Sequence, residues 1–163
     1  TTEIYTLSLH DALPIYTLIQ KILSTTLHNN DKKWLTNFIS GRHAHVTYNN
    51  YTSKTRTLPN GVPQGAVLSP TLFNLFLHDL PQPNPAHETH ILSYADDLTI
   101  TSQHPKVQQA TNHLQQYLLQ LEQWLLHNRM SVSPQKSSIT LLTPDRHESH
   151  LQQIGRASCR ERV

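Results

Sequence analysis

The chain has 163 residues, with thirteen Lys+Arg against eleven Asp+Glu for a formal net charge of +2. That length builds one domain with a real core, and the charge is too small to argue for a nucleic-acid partner by itself. No apolar run approaches the ~20 residues a membrane span needs, so the expectation is a protein with no membrane partner.

Both ends stand apart from the rest. Residues 154–163 can be back-translated as ATC GGA AGA GCG TCG TGT AGG GAA AGA GTG, the reverse complement, base for base, of part of a permitted coding string for residues 1–15. Two unrelated protein segments have no reason to permit that, and the shared string looks like a common short-read sequencing adapter. Residues 1–15 and 154–163 are therefore expected to be adapter-derived and not native, and are set aside as a fusion scar would be. Ser8, His10 and Asp11 are then not recruited as a catalytic set. Cys159, the chain's one cysteine, goes with the tail, so redox compartment is not legible. The expected native part, residues 16–153, is a piece cut at both sides.

Leu18, Ile19, Ile22, Leu23 and Leu27 share one face at helical spacing, which predicts an amphipathic helix over 17–28. Asn29-Asn30-Asp31 reads as a stop and a fresh N-cap. Trp34, Leu35, Phe38 and Ile39 continue as a second helix closed by Gly41, while Lys32 and Lys33 form a solvated face. Residues 42–48 alternate as a strand, with 54–58 as partner across an Asn49-Asn50 turn. His43 and His45 fall on one side of it, which admits a metal site, but no third ligand follows at a helpful spacing and the histidines read as surface residues.

Asn60-Gly61-Val62-Pro63-Gln64-Gly65-Ala66-Val67-Leu68-Ser69-Pro70 is the first informative stretch. Two glycines flank Val62-Pro63-Gln64, giving a stiff loop whose backbone can be approached closely. Ser69 is expected to N-cap a helix with Pro70 at its first position and Leu72, Phe73, Leu75, Phe76 and Leu77 as its apolar face. Such a loop suits phosphate or base-edge contact, or is a structural turn before a core helix. It is not the phosphate loop of nucleotide hydrolases, because no Lys follows Gly65. A proline-stiffened connection over 79–85 follows.

Ile91-Leu92-Ser93-Tyr94-Ala95-Asp96-Asp97-Leu98-Thr99-Ile100 is the second informative stretch, and it predicts a tight hairpin with two carboxylates at its bend. On a straight strand neighbouring side chains point to opposite faces, whereas a bend lets two acids share a small volume. Like charges repel, and a divalent cation reverses that sign. Magnesium, held by carboxylates and substrate phosphates, is the usual arrangement; an exposed Asp-rich turn is the alternative. Past the hairpin, Pro105 starts a long helix, with Val107, Ala110, Leu114, Tyr117, Leu118, Leu121, Trp124 and Leu125 at three-and-four spacing. Asn128-Arg129-Met130 closes it and residues 137–142 form a last strand, with Lys136 at its entrance as either a surface or a phosphate-facing lysine.

Gly61-Val62-Pro63-Gln64-Gly65 with Leu68-Ser69-Pro70, followed by Tyr94-Ala95-Asp96-Asp97, resembles the palm of a reverse transcriptase of the non-LTR (LINE-type) retrotransposon family, over essentially all of residues 16–153. The resemblance implies an α+β fold, a polymerase palm-like antiparallel sheet with the helices of 70–80 and 105–128 packed on one face. It implies RNA-directed DNA polymerase chemistry with two Mg2+ ions, an RNA template, a DNA primer and deoxynucleoside triphosphates. By it, Asp96 is the more direct metal ligand and Asp97 a supporting acid, Gly61, Pro63, Gln64 and Gly65 lie against template and incoming nucleotide, and Lys136 assists the pyrophosphate leaving group. The family has a third metal-binding aspartate on a strand upstream of the first helix, which residues 16–153 lack. The piece is accordingly expected to be inactive alone, with an unpaired sheet edge where that strand belongs. A degenerate element remnant, weakly nucleic-acid-binding or without function, is the non-enzymatic alternative; a metal-dependent hydrolase is disfavoured by the glycine loop.

Overall fold

The computed structural model describes residues 1–9 and 13–143. Asp11, His10 and the segment 154–163 with Cys159, all set aside above, lie outside the described residues. The chain divides into two compact units, residues 1–10, 80–127 and 131–163 in one and residues 11–79 and 128–130 in the other. The architecture is α+β, with antiparallel sheet and helices.

The first unit is built on a four-stranded sheet. Its strands are β1 (Thr2–Ser8), β6 (Thr89–Tyr94), β7 (Asp97–Gln103) and β8 (Ser138–Leu142), in the order β6-β7-β1-β8 and antiparallel throughout. β1 lies between two partners: Thr2 to Ser8 pair with Gln103 to Asp97, and Thr2 to Thr6 pair with Leu142 to Ser138. The unpaired edge is an expectation for residues 16–153 by themselves; in the whole chain residues 2–8 occupy that slot. Glu3, Tyr5, Leu7 and Leu9 alternate with Thr2, Ile4 and Thr6, and the first set is buried. A peptide with that alternation pairs as a strand whatever the history of its codons, since folding acts on side chains and amides alone.

One face of the sheet is covered by α4 (Val107–His127), which packs on β7 and β1. Its buried residues, Val107, Ala110, Leu114, Tyr117, Leu121 and Leu125, follow the expected helical stripe and meet a sheet face that includes Leu7, Leu98 and Ile100. Several polar groups between α4 and its surroundings are hydrogen-bonded. The Thr111 hydroxyl donates to Glu3 Oε1 at 2.6 Å, Ser102 Oγ donates to the Ala110 carbonyl at 3.1 Å, and Tyr117 Oη donates to the Pro81 carbonyl at 2.9 Å. Burial pushes the Tyr117 phenol well above its ordinary pKa, so it stays a donor. α4 ends at Asn128-Arg129, where Arg129 takes the left-handed conformation (φ 56°) that terminates helices.

The second unit packs α1 (Ile15–Ser24) against α2 (Asn29–Ile39) and α3 (Ser69–Leu77). Leu18, Ile22, Ile39, Leu72 and Phe76 are its buried centre. α1 stops four residues before the expected end at 28, because Thr25 turns to an extended conformation and its hydroxyl donates to the Ile22 carbonyl. The cap of α2 is His28 rather than the Asn29-Asn30-Asp31 group: its Nδ1 accepts from the Asn30 N–H at 3.3 Å. α3 packs on α1, and Lys21 fastens its end by donating to the Phe76 carbonyl at 2.7 Å and to the Asp79 carboxylate.

The predicted hairpin of 42–58 forms in two short pieces. β2 (His43–Ala44) pairs with β5 (Arg56–Thr57), and β3 (Thr47–Tyr48) pairs with β4 (Tyr51–Thr52). Asn49 (φ 46°) and Asn50 (φ 67°) supply the two positive-φ positions of a tight hairpin turn. Among the described residues no helix is long and apolar enough to cross a membrane.

Candidate functional site

The two carboxylates sit where the sequence places them, at the tip of the β6–β7 hairpin, but not equivalently. Ala95 and Asp96 are the turn, and Asp97 is already the first residue of β7, paired with Tyr94. Ala95 has φ 51°, a left-handed conformation a side-chain-bearing residue adopts at a cost of about 1–2 kcal/mol. Cross-strand partners share a sheet face. Asp97 therefore stands with Tyr94 and, by alternation, with Thr99 and Thr101 on the face away from Leu98, Ile100 and α4. That face is open: Leu92 is 68 % and Tyr94 84 % exposed, and both acids are exposed.

β1 runs past the same tip. Ser8 is in register with Asp97, and the Leu9 N–H donates to the Asp96 carbonyl at 2.9 Å. The turn is thus braced from the side by a neighbouring strand. Lys136 belongs to the same unit, exposed on a 3-10 turn (Pro134–Lys136) that leads into β8; its N–H donates to the Ser133 carbonyl at 3.2 Å.

The glycine loop lies in the other unit. Gly61 (φ 79°) and Gly65 (φ 78°) both take left-handed conformations, which accounts for glycine at both ends of Val62-Pro63-Gln64. The loop is fixed at its start by Arg42, whose guanidinium donates to the carbonyls of Ile39 (3.1 Å), Asn60 (2.9 Å) and Gly61, and by the Gly61 N–H donating to the Leu13 carbonyl at 2.8 Å. Its far end is held by Ser69, whose hydroxyl donates to the Pro63 carbonyl. Ser69 is consequently not the N-cap of α3: it is the first helical residue, Pro70 the second, and Leu68 stands at the cap. Between these anchors Gln64 and Gly65 are exposed, and Val67 is 92 % exposed. Arg42 was not legible as a loop anchor, since the carbonyls it gathers are eighteen and nineteen residues away. A Cβ at Gly65 would meet nothing within 4 Å, so Gly65→Ala is opposed by backbone strain alone. The expected cost is about 1–2 kcal/mol, read as a lower urea midpoint with an unchanged slope.

The metal question turns on the donor set. Asp96 and Asp97 offer two carboxylates, and among the described residues no group of three or more His, Cys, Asp or Glu side chains converges as a metal cage. Among the described residues the donors do not make up a two-ion magnesium site. His43 and His45 are exposed, and among the described residues no metal cluster includes them.

The family model described as Reverse transcriptase (RNA-dependent DNA polymerase) matches residues 8–158. The chain belongs to the reverse transcriptase family. Among curated reverse transcriptase relatives, the RNA-directed DNA polymerase from mobile element jockey of Drosophila melanogaster is 34 % identical over 104 residues, 61 % of this chain and 11 % of the relative. The jockey polymerase of Drosophila funebris is 32 % identical over 111 residues, covering 65 % and 12 %. The probable RNA-directed DNA polymerase from transposon BS of D. melanogaster is 34 % identical over 108 residues, covering 63 % and 12 %. These are non-LTR elements, and the chain spans about a ninth of the length of the relatives it matches. Among solved structures, apo telomerase from Candida tropicalis truncated from its C-terminal domain superposes with a TM-score of 0.62 at 13 % identity, over 85 % of this chain and 30 % of that one. That likeness supports a palm-like reverse transcriptase fold.

Proposed function

We propose that this chain is a segment of an RNA-directed DNA polymerase whose complete parent copies an RNA template from a DNA primer with deoxynucleoside triphosphates, and that Asp96 and Asp97 belong to its catalytic centre. The observation that carries this reading is the hairpin tip, which holds two adjacent acids on an exposed turn and puts Asp97 on the open face of the sheet. In the parent, Asp96 is the more direct ligand of Mg2+ and Asp97 the supporting acid. Such ions lower the pKa of an attacking hydroxyl and neutralise triphosphate charge. Gly61, Pro63, Gln64 and Gly65 face template and nucleotide, consistent with the exposure of Gln64 and Gly65, and Lys136 serves the pyrophosphate side. Residues 1–15 and 154–163 are adapter-encoded in this reading, and the native segment is 16–153.

The 163-residue chain itself is expected to be inactive, since two carboxylates do not order two ions. Incubated with magnesium, an RNA template, a DNA primer and nucleotides, it gives no extended primer. Extension that vanishes in Asp96→Asn would overturn that half of the proposal. With the parent's upstream segment restored, extension is expected, and Asp96→Asn then lowers it by at least about a hundredfold. An Asp96→Asn chain that extends as well as its parent would overturn the assignment of the acids.

A further inference from the structure

The hairpin that carries the two acids has a second end, and histidines gather there. His87 leads into β6, His104 follows β7, and His113 stands early in α4. The His87 and His113 rings are stacked, centroids 3.8 Å apart and planes 4° from parallel, while His104 meets His113 edge-on at 5.7 Å. The same corner holds the hairpin's last backbone bond, Gln103 N–H to the Glu88 carbonyl at 2.8 Å, and the buried Thr89–Ser102 hydroxyl pair at 3.2 Å. His113 Nδ1 is buried and, among the described residues, has no hydrogen-bond partner. A cavity of about 50 Å³ adjoins it, with His87, Thr89 and Tyr117 in its wall.

From these contacts we infer that His87, His104 and His113 form an acid-released clamp on the base of the β6–β7 hairpin, closed while the imidazoles are neutral and opened when His113 becomes an imidazolium. Neutral rings stack face to face without penalty. Two cationic rings at that separation repel, and the corner offers little to absorb the charge. His87 from the lead into β6 and His104 from the β7–α4 connection are the titratable groups that face His113. Lys106, whose N–H donates to His104 Nδ1 at 3.1 Å, adds positive charge, and Tyr117 is occupied by the Pro81 carbonyl. Glu88 is next to His87 in the chain, but among the described residues no carboxylate forms an ion pair with any of the three rings.

The direction of the pH effect follows. Burial first, then His87 and His104, holds His113 below its ordinary pKa. The folded state then binds fewer protons than the unfolded one. The stability this ring allows is present above the unfolded value near ~6.5 and is lost as pH falls through the lowered folded value. The clamp does not depend on the polymerase reading, since it concerns how the hairpin is fastened and not what its tip does.

Proton NMR on the full chain tests it. The His113 Hε1 resonance is expected to titrate below the ordinary imidazole value of ~6.5, and His87→Gln moves its midpoint up towards that value. Between pH 7.5 and 5.5 the protection of the Gln103 amide against hydrogen exchange, corrected for intrinsic rates, falls about tenfold in the unaltered chain and is flat in His113→Gln. Should His113→Gln fail to fold, the His87→Gln titration decides alone. A His113 midpoint at or above the ordinary imidazole value of ~6.5, or one indifferent to His87→Gln, overturns the clamp, as does an acid-dependent loss of protection that persists in His113→Gln.

Discussion

Removal of residues 1–9 is expected to abolish cooperative folding of the first unit. β1 is bonded on both edges within β6-β7-β1-β8, and it joins β8 to the rest of the sheet. Its loss leaves amides and carbonyls on β7 and β8 without partners and uncovers Tyr5, Leu7 and Leu9, each buried to 6 % exposure or less. Burying three large side chains contributes about 5–9 kcal/mol at ~1.5–3 kcal/mol each, against a typical total stability of about 5–15 kcal/mol. Glu3 goes too, so the Thr111 hydroxyl loses its 2.6 Å bond to that carboxylate and keeps only the Val107 carbonyl. Circular dichroism of the truncated chain should show retained helix with no cooperative melt. A melting midpoint within a few degrees of the full chain would mean that the sheet does not need this strand. The expectation holds whether the codons were native or came from an adapter.

Tyr94→Asp is expected to create a divalent-cation site at the hairpin tip. The register puts position 94 opposite Asp97, and directly opposed residues have Cβ atoms about 4.5–5.5 Å apart on one face. A third acid there would join Asp97 on the open face, beside the Asp96 turn whose carbonyl is already bonded to Leu9. Carboxylates at that spacing repel, and a hard cation relieves the repulsion. Titration with Mn2+, followed by paramagnetic broadening of the Ser93 and Asp97 resonances, should show binding at least about tenfold tighter than in the unaltered chain, or about 1.4 kcal/mol. Equal affinity in Tyr94→Asp and in Tyr94→Asp with Asp97→Asn would show that the register does not bring the carboxylates to a common ion.

The local sequence decides the conformation where one period or one turn suffices. Six of the eight positions in the stripe that the α4 spacing announces are buried, with Leu118 and Trp124 half-buried, Asn49-Asn50 turn as expected, and Asp96-Asp97 fall at a hairpin tip. The smaller misses are also local in kind. Ser69 reads as an N-cap because nothing nearby says that its hydroxyl will be drawn to the Pro63 carbonyl, and α1 ends early because Thr25 bonds back to Ile22.

Residue order alone settled the helices, the glycine loop and the presence of paired acids at a bend, since each is dictated by side chains within one or two turns of each other. It also carried the family, because Gly61-Val62-Pro63-Gln64-Gly65 and Tyr94-Ala95-Asp96-Asp97 are contiguous strings. Tertiary structure decided that residues 2–8 fill the centre of the sheet, that Arg42 gathers the loop's carbonyls, and that three scattered histidines meet at one corner. Those outcomes depend on pairings across long stretches of chain, Thr2 with Gln103 among them, and a pairing of that kind leaves no period in either partner's own sequence.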